Sequence, residues 1–156
     1  MGCLFSKTKS IPENIDPKSL PIFVPAIRHC RVIKCYDGDT ITVAAYYTDD
    51  KLYKFQVRIA GIDCPEIKSS NQNEKEVAIV ARDLVKDLIL GEMVELVNVK
   101  TEKYGRLLAD VLYKNQSIAN MLLQEHLAVE YEGKTKAGPS DWKKYRSASE
   151  SKQETR

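Results

Sequence analysis

Val57-Arg58-Ile59-Ala60-Gly61-Ile62-Asp63-Cys64-Pro65-Glu66 is an alternating strand that carries an arginine, runs into a glycine and ends in a turn with two carboxylates and a proline. An arginine on such a strand is costly if its face packs into a core, because a buried charge needs a partner. Asp63 and Glu66 follow within a few residues, on a loop that Pro65 stiffens by fixing φ. One guanidinium presented with two carboxylates suits the binding of a metal and a phosphate. Alone, the stretch also reads as a solvated strand end with an ordinary surface ion pair. The segments on either side decide between the two.

Working outward, Val32 to Tyr36 reads as a strand, and Asp37-Gly38-Asp39-Thr40 as a turn. Ile41, Val43 and Ala45 then alternate with Thr40, Thr42 and Ala44, the period of a half-buried strand. Asp49-Asp50-Lys51 marks a second turn before the strand from Tyr53 to Ala60. Val77, Val80, Ala81, Leu84, Val85 and Leu88 keep helical spacing, with Asn73 and Glu76 predicted as the N-terminal cap and Gly91 as the stop. Strands are expected over Met93–Val99 and Leu107–Tyr113, and a second helix over Ser117–Leu127. Pro139-Ser140-Asp141-Trp142 opens a short third helix within a polar C-terminal segment, 133–156. Three strands, a helix, two strands and a helix predict an α+β, mainly β fold. It is an OB-like five-stranded barrel with two to three helices, an architecture that commonly binds oligonucleotides on one face. Fold alone does not settle activity.

Asp37-Gly38-Asp39-Thr40, Arg58 to Glu66, and Glu102-Lys103-Tyr104-Gly105-Arg106 are each short and weak as motifs. Asp37-Gly38 alone is a hairpin turn, and Tyr104-Gly105-Arg106 alone a strand-entry turn. In this order, on this succession of strands, they resemble the staphylococcal-nuclease-like (thermonuclease) family over residues 30–132, within a domain taken as 29–132. The resemblance implies that Asp39 and Asp63 ligate calcium, with the backbone carbonyl of Cys64 completing the protein ligands. It implies that Arg58 and Arg106 bind the scissile phosphate and that Glu66 is the general base. Lys103 and Tyr104 match residues lining the nucleotide site, and Tyr131 falls near a tyrosine placed beside the nucleotide. Calcium-dependent endonucleolytic cleavage of DNA and RNA, with little sequence preference and 3′-phosphate products, is the activity implied. Cys64 stands where the best-known member has threonine.

Composition agrees with a globular chain of 156 residues, 43% hydrophobic and 29% charged. Residues 1–34 hold six Lys/Arg against two Asp/Glu, 35–131 eleven against sixteen, and 132–156 seven against four. A basic arm and a basic tail thus flank an acidic body, so bulk charge does not recruit a polyanion; a local site must. Four scattered cysteines make neither a zinc-ligand pattern nor a disulfide framework, which points to a reducing compartment. Met1-Gly2-Cys3-Leu4-Phe5-Ser6 fits N-myristoylation at Gly2, with Cys3 beside it for palmitoylation and Lys7 and Lys9 following. A second acyl chain or a basic patch is what makes such anchoring stable. Residues 1–9 are therefore read as a lipidated anchor at the cytoplasmic face of a membrane. Residues 10–28, with Pro12, Pro17, Pro21 and Pro25, are read as an extended tether. Two readings fit the apolar patch Pro21-Ile22-Phe23-Val24-Pro25, part of the spacer or a patch docked on the domain. No secretory signal and no apolar run of transmembrane length is present. His29 and His126 are read as surface or helix-face residues, and Trp142 as a packing anchor. Two other readings stand beside the nuclease: a catalytically silent module of the same fold that binds nucleic acid or protein, and a lipid-anchored adaptor.

Overall fold

The fold is given by a computed structural model that describes residues 9–48, 50–135 and 138–153, the last five by backbone alone. Gly2 and Cys3 lie outside the described residues. Strands β1 (His29–Asp37), β2 (Thr40–Tyr47) and β3 (Lys51–Ile59) form an antiparallel meander. The two-residue β4 (Ile62–Asp63) follows, then helix α1 (Gln72–Ile89). β5 (Met93–Thr101) pairs antiparallel with β1 and with β6 (Leu107–Tyr113). β6 then lies parallel to β3, Val57 opposite Leu107 through Ile59 opposite Ala109, and this seam closes a mixed five-stranded barrel. β7 (Gln116–Ser117), α2 (Ile118–Gln124), β8 (Val129–Glu130) and α3 (Trp142–Gln153) complete the chain. This is the expected mainly β, OB-like barrel, with three helices.

Alternation in the sequence becomes the inside and outside of the wall. Ile41, Val43 and Ala45 are buried in the barrel while Thr40, Thr42 and Ala44 are only partly covered. β1 starts at His29 rather than Val32, because Cys30 is fully buried and opposes Val94 of β5. A register shift between Val32 and Lys34 then re-aims the strand and leaves Ile33, Lys34 and Tyr36 exposed.

The N-terminal cap of α1 is Asn71 and not Asn73. Its extended backbone lets the side chain accept from the amides of Asn73 (2.9 Å) and Glu74 (3.4 Å), two of the helix's orphan donors. Gly91 does terminate the helix region, at φ 82°. Val77, Ala78, Ala81, Val85 and Ile89 form the fully buried stripe; Val80, Leu84 and Leu88 flank it. α2 is shorter than expected and ends at Gln124, where Glu125 and His126 leave helical geometry.

The polar C-terminal segment holds a twelve-residue helix, longer than the short one expected. Trp142 is its buried anchor, edge-on to Tyr145, whose ring stacks on His126 at 4.8 Å. Nδ1–H of His126 donates to the Tyr145 carbonyl (2.9 Å), and Lys143 pairs with Glu76 of α1. The expectation for His126 is thus refined: it fastens the third helix.

The proline-containing segment does reach the barrel. Thr101 donates its hydroxyl to the Phe23 carbonyl (2.6 Å), and the Phe23 ring meets Tyr47 edge-on at 5.8 Å. Pro25 and Ile27 are buried, and the Leu96 amide donates to the Arg28 carbonyl at 2.7 Å. Among the described residues no helix is long and apolar enough to cross a membrane.

Candidate active site

The three segments singled out in the sequence converge where β2 begins, β3 ends and β6 begins. Asp39 sits at the mouth of β2, and its carbonyl accepts the Ile59 amide (2.8 Å), which ties that turn to the end of β3. Gly38 is needed there because of close approach. A Cβ on it would stand 2.9 Å from the Ala81 Cβ of α1 and 2.9 Å from the Cys64 Sγ. Asp63 is held by β4, which pairs with β8 through Ile62–Glu130 and Asp63–Val129. The Tyr131 amide donates to the Gly61 carbonyl (2.9 Å) just beyond.

Arg58 is buried and spans the two aspartates. Its Nη2 donates to Asp63 Oδ1 at 2.9 Å and lies 3.5 Å from Asp39 Oδ2. The guanidinium carbon is 5.0 Å from the centre of the Tyr131 ring. Asp39 is satisfied on both oxygens: Oδ1 accepts from Thr40 (2.9 Å) and Oδ2 from the Cys64 amide (3.2 Å). These contacts offset the cost of burying the charges, which isolated would be prohibitive.

Glu66 is exposed on the loop after Pro65. That loop is pinned by Glu74 in the first turn of α1, whose carboxylate accepts from the Glu66 amide (3.1 Å) and the Ser69 hydroxyl (2.7 Å). Arg106 enters from the 3-10 turn Lys103–Gly105 and is half-buried, with Nε donating to Glu102 at 2.9 Å. Tyr104 and Gly105 take left-handed φ of 68° and 77° to make this turn.

One cavity of about 290 Å³ gathers Asp39, Arg58, Asp63, Glu66 and Arg106, together with Asp37, Thr40, Glu102 and Tyr131. Five carboxylates there face two guanidinium groups, so the cavity carries an acidic excess. Cys64 is buried beside it. Burial, then Asp39 and Asp63, push its thiol well above its ordinary range, so it is no thiolate. The Asp37 carboxyl is raised as well, first by burial and further by Asp39 and Glu66, against the Ile67 amide and Lys68. Lys103 and Tyr104 stand apart from the cavity, exposed on the turn that delivers Arg106. Asp37, Thr40, Glu74 and Glu102 were not singled out as site residues in the sequence. Each holds a backbone or side-chain atom of one that was, or lines the same cavity. The signal for Glu74 lay in its place three residues after Asn71.

Among the described residues no three His, Cys, Asp or Glu side chains form a metal cluster. The donor set nonetheless fits a hard cation. Two carboxylates converge on the same Arg58 nitrogen, and a local acidic excess calls for positive charge.

This molecule is an OB-like barrel with a cavity of carboxylates and arginines at its strand ends. The model of the staphylococcal nuclease homologue family matches residues 56–156, and the chain belongs to that family. It is 34% identical over 102 residues to an uncharacterized endonuclease of Haemophilus influenzae, covering 65% of this chain and 52% of that one. An uncharacterized endonuclease of Escherichia coli is 31% identical over 103 residues, covering 66% and 60%. The probable endonuclease LCL3 of Leptosphaeria maculans is 31% identical over 111 residues, covering 68% and 37%. The chain thus spans between 37% and 60% of the length of these relatives.

Proposed function

We propose that this protein is a calcium-dependent endonuclease that hydrolyses phosphodiester bonds of DNA and RNA with little sequence preference. The observation that carries the reading is the single cavity shared by Asp39, Arg58, Asp63, Glu66 and Arg106. Asp39, Asp63 and the Cys64 carbonyl would hold the cation. Once bound it supplies Lewis-acid stabilisation of charge on the phosphoryl oxygens.

The remaining work belongs to the chain's own residues. Arg58 and Arg106 hold the phosphate; the planar fork of arginine grips two oxygens at once, which lysine does not. Both are in position before negative charge gathers on the equatorial oxygens, so stabilisation needs no reorganisation. Glu66, held by its loop at the cavity wall, takes the proton from the attacking water. Tyr131 covers one side of Arg58 and limits its solvation. Lys103 and Tyr104, on the rim turn, reach nucleotides flanking the scissile bond. With few carboxylate donors, the metal affinity is modest and rises when substrate adds its oxygens.

Incubation with labelled single-stranded DNA and RNA, in calcium and then in chelator, tests the reading. Cutting that appears with calcium and stops with chelator is expected; its absence in both leaves a binding module. We further propose that acylation at Gly2 and Cys3 holds the protein at the cytoplasmic face of a membrane. The charge of the N-terminal arm, six Lys/Arg against two Asp/Glu in residues 1–34, supports this by attraction to anionic lipid. Gly2→Ala should shift the protein from membrane to soluble fractions, and an unchanged distribution ends that idea.

A further inference from the structure

A second cavity of about 230 Å³ adjoins the first and shares Asp37, Thr40 and Arg106 with it as a common wall. Its other lining residues are Lys34, Tyr36, Thr42 and Gln56, all on the outer face of β1–β3. Register explains why they meet. Thr40 opposes Arg58, and the next outward-facing row is Gln56 opposite Thr42 opposite Lys34. Successive rows lie two residues apart along a strand, about 7 Å. The trough therefore leads from the arginine grip straight across this row.

Its chemistry differs from that of the acidic cavity. Tyr36 is 41% exposed and lines the trough. Two ammonium groups attend the ring, Lys34 at 5.8 Å and Lys68 at 5.7 Å from its centroid. Lys68 is raised above its ordinary range first by its hydrogen bond to the Tyr36 side chain, so its charge is secure at neutral pH. Thr42 and Gln56 add uncharged donors and acceptors. A volume below the ~300–1,000 Å³ of pockets that enclose whole small molecules suits one unit of a longer ligand. Asp37 on the shared wall disfavours a second phosphate in that corner and favours a neutral base or sugar.

We propose that this row is a subsite for the nucleotide next to the scissile phosphate of a single-stranded polynucleotide, with the Tyr36 ring as base platform and Lys34 and Lys68 as phosphate contacts. The proposal rests on the phosphodiesterase reading and names how its substrate is held. A stacking ring flanked by cations is the sequence-tolerant mode of single-strand binding. It also answers how an acidic body keeps hold of a polyanion.

Fluorescence anisotropy of labelled oligothymidylate and oligouridylate, with the full chain in chelator, is the test. Tyr36→Ala is expected to weaken binding of both roughly 5- to 100-fold, and Tyr36→Phe to retain it. Lys34→Ala and Lys68→Ala should each reduce the salt slope by about one. In calcium, Tyr36→Ala should raise KM for the oligonucleotides by a larger factor than it lowers kcat. Equal affinity of the wild-type protein and Tyr36→Ala overturns the subsite, as does a loss matched by Tyr36→Phe or a wild-type protein that binds neither probe. Tyr36-dependent binding by a protein that cuts neither probe keeps the subsite and overturns the nuclease. Cutting by a protein whose affinity ignores Tyr36 does the reverse.

Discussion

The two arginines of the cavity are built in opposite ways. Arg58 is buried, shared by two carboxylates and covered by an aromatic ring, on a strand whose backbone is fixed by the closing seam. Arg106 is half-exposed, joined to the single carboxylate of Glu102, at the end of a turn with two left-handed residues. The difference teaches that one charge is part of the architecture and the other is set at its rim by a single ion pair. Arg58 cannot be removed without stripping Asp39 and Asp63 of the positive charge they share. Arg106 can, since water replaces its partner.

The sharpest way to break this comparison is Arg58→Ala, which should destabilise the fold by about 3–5 kcal/mol in chelator, as loss of one member of a buried ion set does. Urea melts read it, and a cost under 1 kcal/mol would show that Arg58 is no more structural than Arg106. Next, Arg106→Ala should lower kcat by about 10²–10³-fold while stability moves by less than about 1 kcal/mol. Glu66→Gln should behave similarly, with Tm unchanged. A smaller effect is expected of Glu102→Gln, which frees Arg106: under about 1 kcal/mol in stability, with kcat becoming more sensitive to salt. A separate effect, confined to alkaline pH, lies away from both arginines. Cys30 and Cys35 are raised by burial from 9.0 to about 11. The folded state therefore favours the protonated thiols, a contribution whole below pH 9 and lost as pH rises towards 11. Tm should fall across that window, and less so in Cys30→Ala.

Five of the nine residues lining the cavity were legible because they lie at or within a few residues of turns that the sequence punctuates: Gly38 before Asp39, Gly61 after Arg58, Pro65 between Asp63 and Glu66, Gly105 before Arg106. Alternation made the strands legible for the same local reason. What could not be read depends on contacts distant in sequence. α3 lacks an apolar stripe and is held by Trp142 and by Tyr145 against His126, so its sequence resembles a fraying tail. Asn71 and Asn73 each precede a glutamate by three residues, and only the extended backbone at Asn71 decides between them. Phe23 docks through a hydroxyl on Thr101, a partner no local pattern announces.

The parallel pairing of Val57–Ile59 with Leu107–Ala109 has a temporal meaning. A nascent chain leaving the ribosome displays Arg58 and both aspartates well before Arg106 has been made. Long-range closure of this kind is among the last contacts a barrel forms, because its loop entropy must be overcome first. The complete cavity thus arrives only with the finished barrel, and an unfinished chain carries no assembled site.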